Sequence, residues 1–208
     1  MATDEFLDTN IIVDYVNYND SSSNKIKISY DYVVGIKGKI ILCGMVISEL
    51  QKLINRRSRI HKAVLCMAED PDYDLSQILY KKEIPFAKKL HAKFGSMKKE
   101  KLSELFSRER ALFEMRVERF LKFMVSERVI PEREIDMDLA NEIRGYIDNF
   151  EDSKILASAL QFQNIRGEIF NFVTSDSHDF DPNTYEEIMG QDFFSKYKFP
   201  KLVNLAYQ

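Results

Sequence analysis

The 208-residue sequence predicts an α/β protein with a central parallel sheet of about four to five strands, helices on both faces and a helical insertion. Two observations carry this prediction. Short apolar runs, typical of strands buried on both faces, alternate with longer segments of helical periodicity. Parallel strands need crossover connections, and helices supply them. We expect a single domain over residues 1–208, with a basic helical insertion at about 70–130.

The first half of the chain begins with a short buried strand that ends at Asp8 and leads into a helix at about 10–18. Residues 25–37 fit either a strand or a helix. We favour a helix, because the next run, "KIILCGM" at 39–45, is typical of a buried parallel strand and a crossover must precede it. A long helix then begins at about residue 47.

The middle of the chain is predicted to be helical throughout. The segment "LSELFSRERALFEMRVERFLKFMV" places apolar residues at three- and four-residue spacing, which favours a helix with one core-facing side. Two more helices follow in "DLANEIRGYIDNF" and "DSKILASALQFQ", then a strand in "EIFNFVTSD". Asp181 and Pro182 are typical of a helix start, and a last strand is expected at 201–208.

Composition narrows the class of protein. The chain is 45% apolar and 30% charged, as in globular proteins, and no apolar run is long enough to span a bilayer. The start, "MATDEFLD", is acidic and does not resemble a secretory signal. Cys43 and Cys66 lie in apolar surroundings and form no metal-ligand spacing. We therefore expect a cytoplasmic protein with no membrane partner.

The charge is unevenly distributed. Residues 51–130 carry 19 Lys and Arg against 11 Asp and Glu, whereas the rest of the chain carries 11 against 22. A basic middle favours a polyanionic partner, and acidic flanks favour a cation. Ordinary solvated helix faces are the alternative for the basic part.

Acidic residues stand at the junctions between the predicted elements. They are Asp8, Glu49, Asp152, Asp176 and Asp179. Each alone is explained as a helix cap, but the junctions that follow parallel strands meet at one edge of a sheet, where ligands bind. Several carboxylates at one edge repel one another unless a cation lies among them.

Oxygen ligands of this kind suit Mg²⁺ or Mn²⁺, which support phosphoryl chemistry by activating water and neutralising phosphate charge. Zinc is disfavoured because the three histidines are scattered. The sequence lacks a P-loop. An aspartyl-phosphate enzyme is also disfavoured, because Asn10 stands where a second aspartate is needed.

Four segments in chain order, "FLDTNIIVDYV", "VISEL", "DSKILASAL" and "FVTSDSHDF", resemble the acidic motifs of PIN-domain nucleases, especially the VapC-type toxins of toxin–antitoxin pairs. The resemblance implies an endoribonuclease that uses Mg²⁺ or Mn²⁺ to cleave single-stranded or loop RNA. It implies Asp8, Glu49, Asp152 and Asp176 as catalytic metal ligands and Asp179 as an auxiliary ligand. Glu151 is an alternative to Asp152.

Residues expected to contact RNA fall into two groups. Thr9, Asn10 and Ser175 are the polar neighbours expected to bond the carboxylates or the phosphate. The basic residues expected to neutralise phosphates are Arg56, Arg57, Arg59, Lys88, Lys89, Lys98 and Lys99.

Several alternatives stay open at this point. The site also suits a structure-specific DNA nuclease, and an inactive PIN-like module that binds RNA or protein is a third hypothesis, although the intact acid set argues against it. Besides RNA, an antitoxin protein and a second copy of the chain are candidate partners. The chain is longer than the compact toxins of this family, and the basic middle accounts for the excess.

Overall fold

The computed structural model describes residues 2–20 and 23–207, and the chain forms two compact units. The first unit comprises residues 1–50 and 117–208, and the second comprises residues 51–116. The second unit therefore begins and ends earlier than the insertion expected at about 70–130. Its boundaries fall inside two long helices rather than in loops, which is why composition alone placed them differently.

A five-stranded, all-parallel sheet forms the centre of the first unit, in the order β3-β2-β1-β4-β5. The strands are β1 (Glu5–Leu7), β2 (Ile40–Cys43), β3 (Val125–Val129), β4 (Asn171–Thr174) and β5 (Lys201–Asn204). Every residue of β1 and β2 is buried, as expected for strands covered on both faces. The predicted α/β class with a parallel sheet is confirmed.

Eight α-helices accompany the strands in the described residues. They are α1 (Thr9–Asn17), α2 (Asn24–Gly35), α3 (Gly44–Glu69), α4 (Ile84–Phe94), α5 (Lys99–Phe123), α6 (Met137–Ile143), α7 (Phe150–Arg166) and α8 (Pro182–Met189). The helix favoured at 25–37 is confirmed as α2. The sheet grows from β1 in one direction towards β3 and in the other towards β5.

The expectation of unbroken helix through the middle is wrong in two places. Between α3 and α4 the chain forms only two 3₁₀ turns, Leu75–Gln77 and Lys81–Glu83. Val125–Val129 forms β3 at the edge of the sheet. Its residues alternate between partly buried and exposed, so the strand lacks the continuous apolar run that identified its neighbours. The last strand is also shorter than expected. It ends at Asn204, a 3₁₀ turn follows at Leu205–Tyr207, and Gln208 lies outside the described residues.

Aromatic packing and strand register fix the position of the strand ends. Phe6 of β1 stacks on Phe170 with ring centroids 5.7 Å apart, and both rings are buried. Leu7 of β1 pairs with Val173 of β4. The residues that follow this pair, Asp8 and Thr174, therefore lie side by side at the carboxyl edge.

The second unit has a core of its own, formed from α3, α4, α5 and the segment between α3 and α4. Its buried residues are Ala63, Val64, Leu75, Leu79, Ala87, Leu102 and Phe106. Leu102 and Phe106 belong to the apolar side predicted for α5, which is confirmed as core. None of the helices in the described residues is long and apolar enough to cross a membrane.

Candidate metal centre

Asp8 lies at the centre of the candidate site, at the junction between β1 and α1. It caps α1, because its Oδ1 accepts a hydrogen bond from the backbone N–H of Thr9 at 2.6 Å. Its Oδ2 accepts bonds from the Asn10 amide and the Thr174 hydroxyl, both at 2.7 Å. The residue is only 2% exposed. Capping accounts for one carboxylate oxygen, whereas the other is held by side chains on two different elements.

The surroundings of Asp8 make its negative charge unfavourable. The pKa of Asp8 is raised to about 7, chiefly by burial and also by the nearby carboxylates of Glu49 and Asp176, and the bonds from Thr174 and Thr9 oppose the rise. An ordinary cap lies at the surface with a low pKa. Asp8 differs from such a cap because burial and like charges together oppose its ionisation.

Glu49 comes from the helix that follows β2. It lies in the second turn of α3, and the Thr9 hydroxyl donates a hydrogen bond to its Oε2. This bond connects the start of α1 with the start of α3. Thr9 therefore orients Glu49 towards the edge where Asp8 lies.

Asp152 lies in the first turn of α7, a helix capped by the Asn149 side chain, which accepts a bond from the Glu151 N–H at 3.1 Å. The pKa of Asp152 is raised to about 9, chiefly by burial and also by the carboxylates of Asp8 and Glu49, a hydrogen bond with Asp179 and the charge of Asp176. Without a cation, the charged form of Asp152 is therefore disfavoured.

Asp176 and Asp179 occupy the loop after β4. The Oδ1 of Asp176 accepts backbone bonds from His178 at 2.7 Å and from Asp179 at 3.0 Å. The Oδ2 of Asp179 accepts a bond from the backbone N–H of Asn149 at 3.2 Å. These bonds fold the loop back on itself and join it to the start of α7.

The five acids predicted from the sequence meet at one edge of the sheet. Carboxylate oxygens of Asp152, Asp176 and Asp179 lie within 4.8 Å of one another. The charged groups that act most strongly on Asp8 and Asp152 are the other carboxylates of this set. Glu151, the alternative to Asp152, is not part of that three-residue group.

The donor set fits a hard divalent cation. All the candidate ligands are carboxylate oxygens, the type that Mg²⁺ and Mn²⁺ prefer. Asp152, Asp176 and Asp179, whose carboxylate oxygens lie within 4.8 Å of one another, would hold such an ion.

The predicted polar neighbours mainly support the acids. Asn10 bonds Asp8, and its own carbonyl oxygen accepts the Ser175 N–H at 3.0 Å. The Ser175 hydroxyl, however, donates to Asp14 at 3.3 Å rather than to one of the five acids. Contact with a substrate phosphate stays a prediction for Thr9, Asn10 and Ser175.

Two participants were missed by sequence reasoning. Thr174 is fully buried, donates to Asp8 and accepts the backbone N–H of Asp176 at 3.0 Å, so it joins two of the acids. His178 is one of the three scattered histidines, yet its Nδ1 lies 2.8 Å from Asp179 Oδ1. A hydroxyl at the end of a buried strand and a histidine beside an aspartate were the available signals.

The basic residues expected to contact RNA lie in the second unit, where most of them have other partners. The Arg56 guanidinium lies 4.7 Å from the Phe86 ring centroid, and the Arg57 guanidinium lies 3.7 Å from that of Phe113. Lys99 forms an ion pair with Glu69. Lys98 is exposed. RNA binding by these residues stays a prediction.

Comparisons with protein-family models, with curated proteins and with solved structures find no match to this chain.

Proposed function

We propose that this protein is a Mg²⁺- or Mn²⁺-dependent endoribonuclease of the PIN type. The observation that supports the proposal is the convergence of Asp8, Glu49, Asp152, Asp176 and Asp179 at one sheet edge, with the pKa values of Asp8 and Asp152 raised by burial and by their neighbours. As the pH rises through these raised pKa values, such a group opposes folding unless a cation neutralises it. The sequence resemblance to PIN-domain nucleases provides the reaction class.

In this proposal the five carboxylates would hold the ion. Those of Asp152, Asp176 and Asp179 have oxygens within 4.8 Å of one another. When bound, the ion supplies activation of water and neutralisation of negative charge on the phosphate. Thr9, Thr174 and the loop bonds of Asp176 hold the carboxylates in place before substrate arrives. Such preorganisation avoids rearrangement of charged groups during the reaction.

RNA is the proposed substrate, and a phosphodiester bond in a single-stranded or loop region is the proposed target. The second unit carries 16 Lys and Arg against 9 Asp and Glu, a balance that suits a polyanion. The toxin role, an antitoxin partner, a homodimer and a cytoplasmic location stay predictions from the sequence resemblance and composition.

The proposal is tested by incubating the purified protein with end-labelled single-stranded RNA in Mg²⁺, Mn²⁺, Ca²⁺ or EDTA. We expect endonucleolytic fragments in Mg²⁺ or Mn²⁺ and none in EDTA. Single-stranded DNA and a DNA flap of matched sequence are the parallel substrates. Faster cleavage of the DNA flap than of RNA would reject the proposed endoribonuclease and favour a structure-specific DNA nuclease.

A further inference from the structure

One segment of the second unit is strongly basic at its surface. Between residues 75 and 99 the sequence contains seven lysines and one acidic residue, Glu83. Lys81, Lys82, Lys88 and Lys89 within this segment are all exposed. These four lysines therefore present positive charge at the surface, whereas Lys99 at the end of the segment is paired with Glu69.

The single acid of the segment does not reduce this charge at the surface, because it is buried. Glu83 is 1% exposed, and its carboxylate accepts bonds from Arg59, with the shorter at 2.6 Å. Arg56 Nε lies 3.7 Å from the same carboxylate. Two arginines on one face of α3 thus share one buried negative charge, which leaves this group with a net positive charge.

Two aromatic rings lie on either side of Glu83 in the sequence, and both are exposed. Tyr80 is 65% exposed and Phe86 is 55% exposed. The Arg59 guanidinium lies 5.0 Å from the Tyr80 ring centroid, and the Arg56 guanidinium lies 4.7 Å from that of Phe86. Glu83 therefore holds both arginines, and each arginine contacts one ring.

We propose that Tyr80 and Phe86 form a stacking surface for the bases of a single-stranded polynucleotide, with Lys81, Lys82, Lys88 and Lys89 neutralising its phosphates. The choice of RNA over DNA rests on the proposed function. Exposed rings among lysines are the combination by which proteins bind single strands without reading their sequence. Arginine on a ring adds positive charge beside a stacked base.

A protein partner is the competing occupant, and the charge argues against it. An apolar protein contact gains nothing from four exposed lysines around the rings, and interface centres are depleted in lysine. Duplex nucleic acid is disfavoured as well, because its bases are already stacked on one another. A single strand uses both the rings and the lysines.

The test is fluorescence anisotropy of the full chain with a labelled single-stranded RNA in EDTA, so that cleavage does not interfere. The variants are Tyr80→Leu and Phe86→Leu, which keep an apolar side chain and remove the π-face. Phe123→Leu is the matched control, since Phe123 is a 71% exposed ring of the first unit with Lys122 above it. Tyr80→Phe and Phe86→Tyr keep the ring.

We expect Tyr80→Leu and Phe86→Leu each to weaken binding by between about fivefold and a hundredfold, the range observed for loss of one stacked base. Phe123→Leu, Tyr80→Phe and Phe86→Tyr should leave the affinity within about twofold of the parent. A strand with abasic positions should bind to parent and leucine variants equally, because it has no base to stack.

The proposal is overturned if the leucine variants bind the single strand as tightly as the parent does, and the rings are then candidates for a protein contact. It is also overturned if those variants lose affinity equally for normal and abasic strands. Because binding is measured without metal, this result is independent of cleavage. A protein that binds through the rings but never cleaves RNA would reject the proposed nuclease and keep the stacking surface.

Discussion

Asp8→Asn separates the two roles that Asp8 has in the structure, because asparagine caps a helix about as well as aspartate. The new carbonyl oxygen can still accept the Thr9 N–H. The new amide, however, replaces Oδ2 and faces the Asn10 amide, a second donor, which is fixed through its bond with Ser175. An unsatisfied buried donor of this kind costs about 1–3 kcal/mol. At pH 5 the variant should therefore be less stable than the parent by this amount.

The difference in the free energy of unfolding between parent and variant should shrink as the pH rises. The parent loses the stabilising contribution of the protonated Asp8 carboxyl, and the variant has no carboxyl at this position to lose it. A carboxyl with a raised folded-state pKa is most favourable below its unfolded pKa, and that advantage disappears as the pH approaches the folded-state value. For Asp8 this value is about 7. Between pH 5 and 7 the parent should lose about 2 kcal/mol relative to the variant, at 1.36 kcal/mol per pH unit and with Asp8 half-titrated at pH 7.

The RNA cleavage rate of Asp8→Asn should be far below that of the parent even at pH 7, where the difference in stability is smallest. Replacing a residue that merely orients a metal ligand typically costs about 10–100-fold, so loss of Asp8 itself should reduce the RNA cleavage rate by more than about 100-fold. The assays are denaturant unfolding in EDTA at pH 5 and pH 7, and cleavage in Mg²⁺. Asp136→Asn is the control, because Asp136 caps α6 through two backbone bonds and is exposed. A stability deficit equal at both pH values, with cleavage unchanged, would refute this account of Asp8.

Three further predictions follow from the same contacts. Mg²⁺ or Mn²⁺ at 100 times its Kd should raise the free energy of unfolding at pH 7 by about 2.7 kcal/mol, and Asp152→Asn should reduce this gain, as measured by thermal melts. Thr9→Val should lower the cleavage rate in Mg²⁺ through misplacement of Glu49, and an unchanged rate would contradict this. Glu83→Gln should destabilise the chain by about 2–3 kcal/mol, less than for a fully buried ion pair because Arg56 and Arg59 are partly exposed. Urea unfolding would detect the last effect, and an unchanged midpoint would contradict it.

The sheet and the meeting of the acids were predictable from the sequence because both depend on local patterns. Continuous apolar runs identify the inner strands, and an acid after each such run is carried to the same edge by parallel pairing. The role of Thr174 was not predictable in this way. It depends on the register that pairs Leu7 with Val173. This register cannot be predicted from the sequence of either strand alone.

Other features depend on contacts distant in sequence. β3 lies at the sheet edge and alternates in burial, so its sequence resembles that of the amphipathic helix before it. Arg56 was predicted to bind phosphate, but its contacts with Glu83 and Phe86 depend on how α3 and α4 pack. A charge count identifies the basic segment but not which charges are paired within it.

The dependence of the RNA cleavage rate on Mn²⁺ concentration, for the parent and for Asp176→Asn, tests the central claim most directly. The account predicts a rate that rises and saturates with Mn²⁺ in the parent, is absent in EDTA, and falls by more than about 100-fold in the variant. Cleavage that persists in EDTA, equal rates for both proteins, or a parent that binds Mn²⁺ but cleaves no RNA would contradict it.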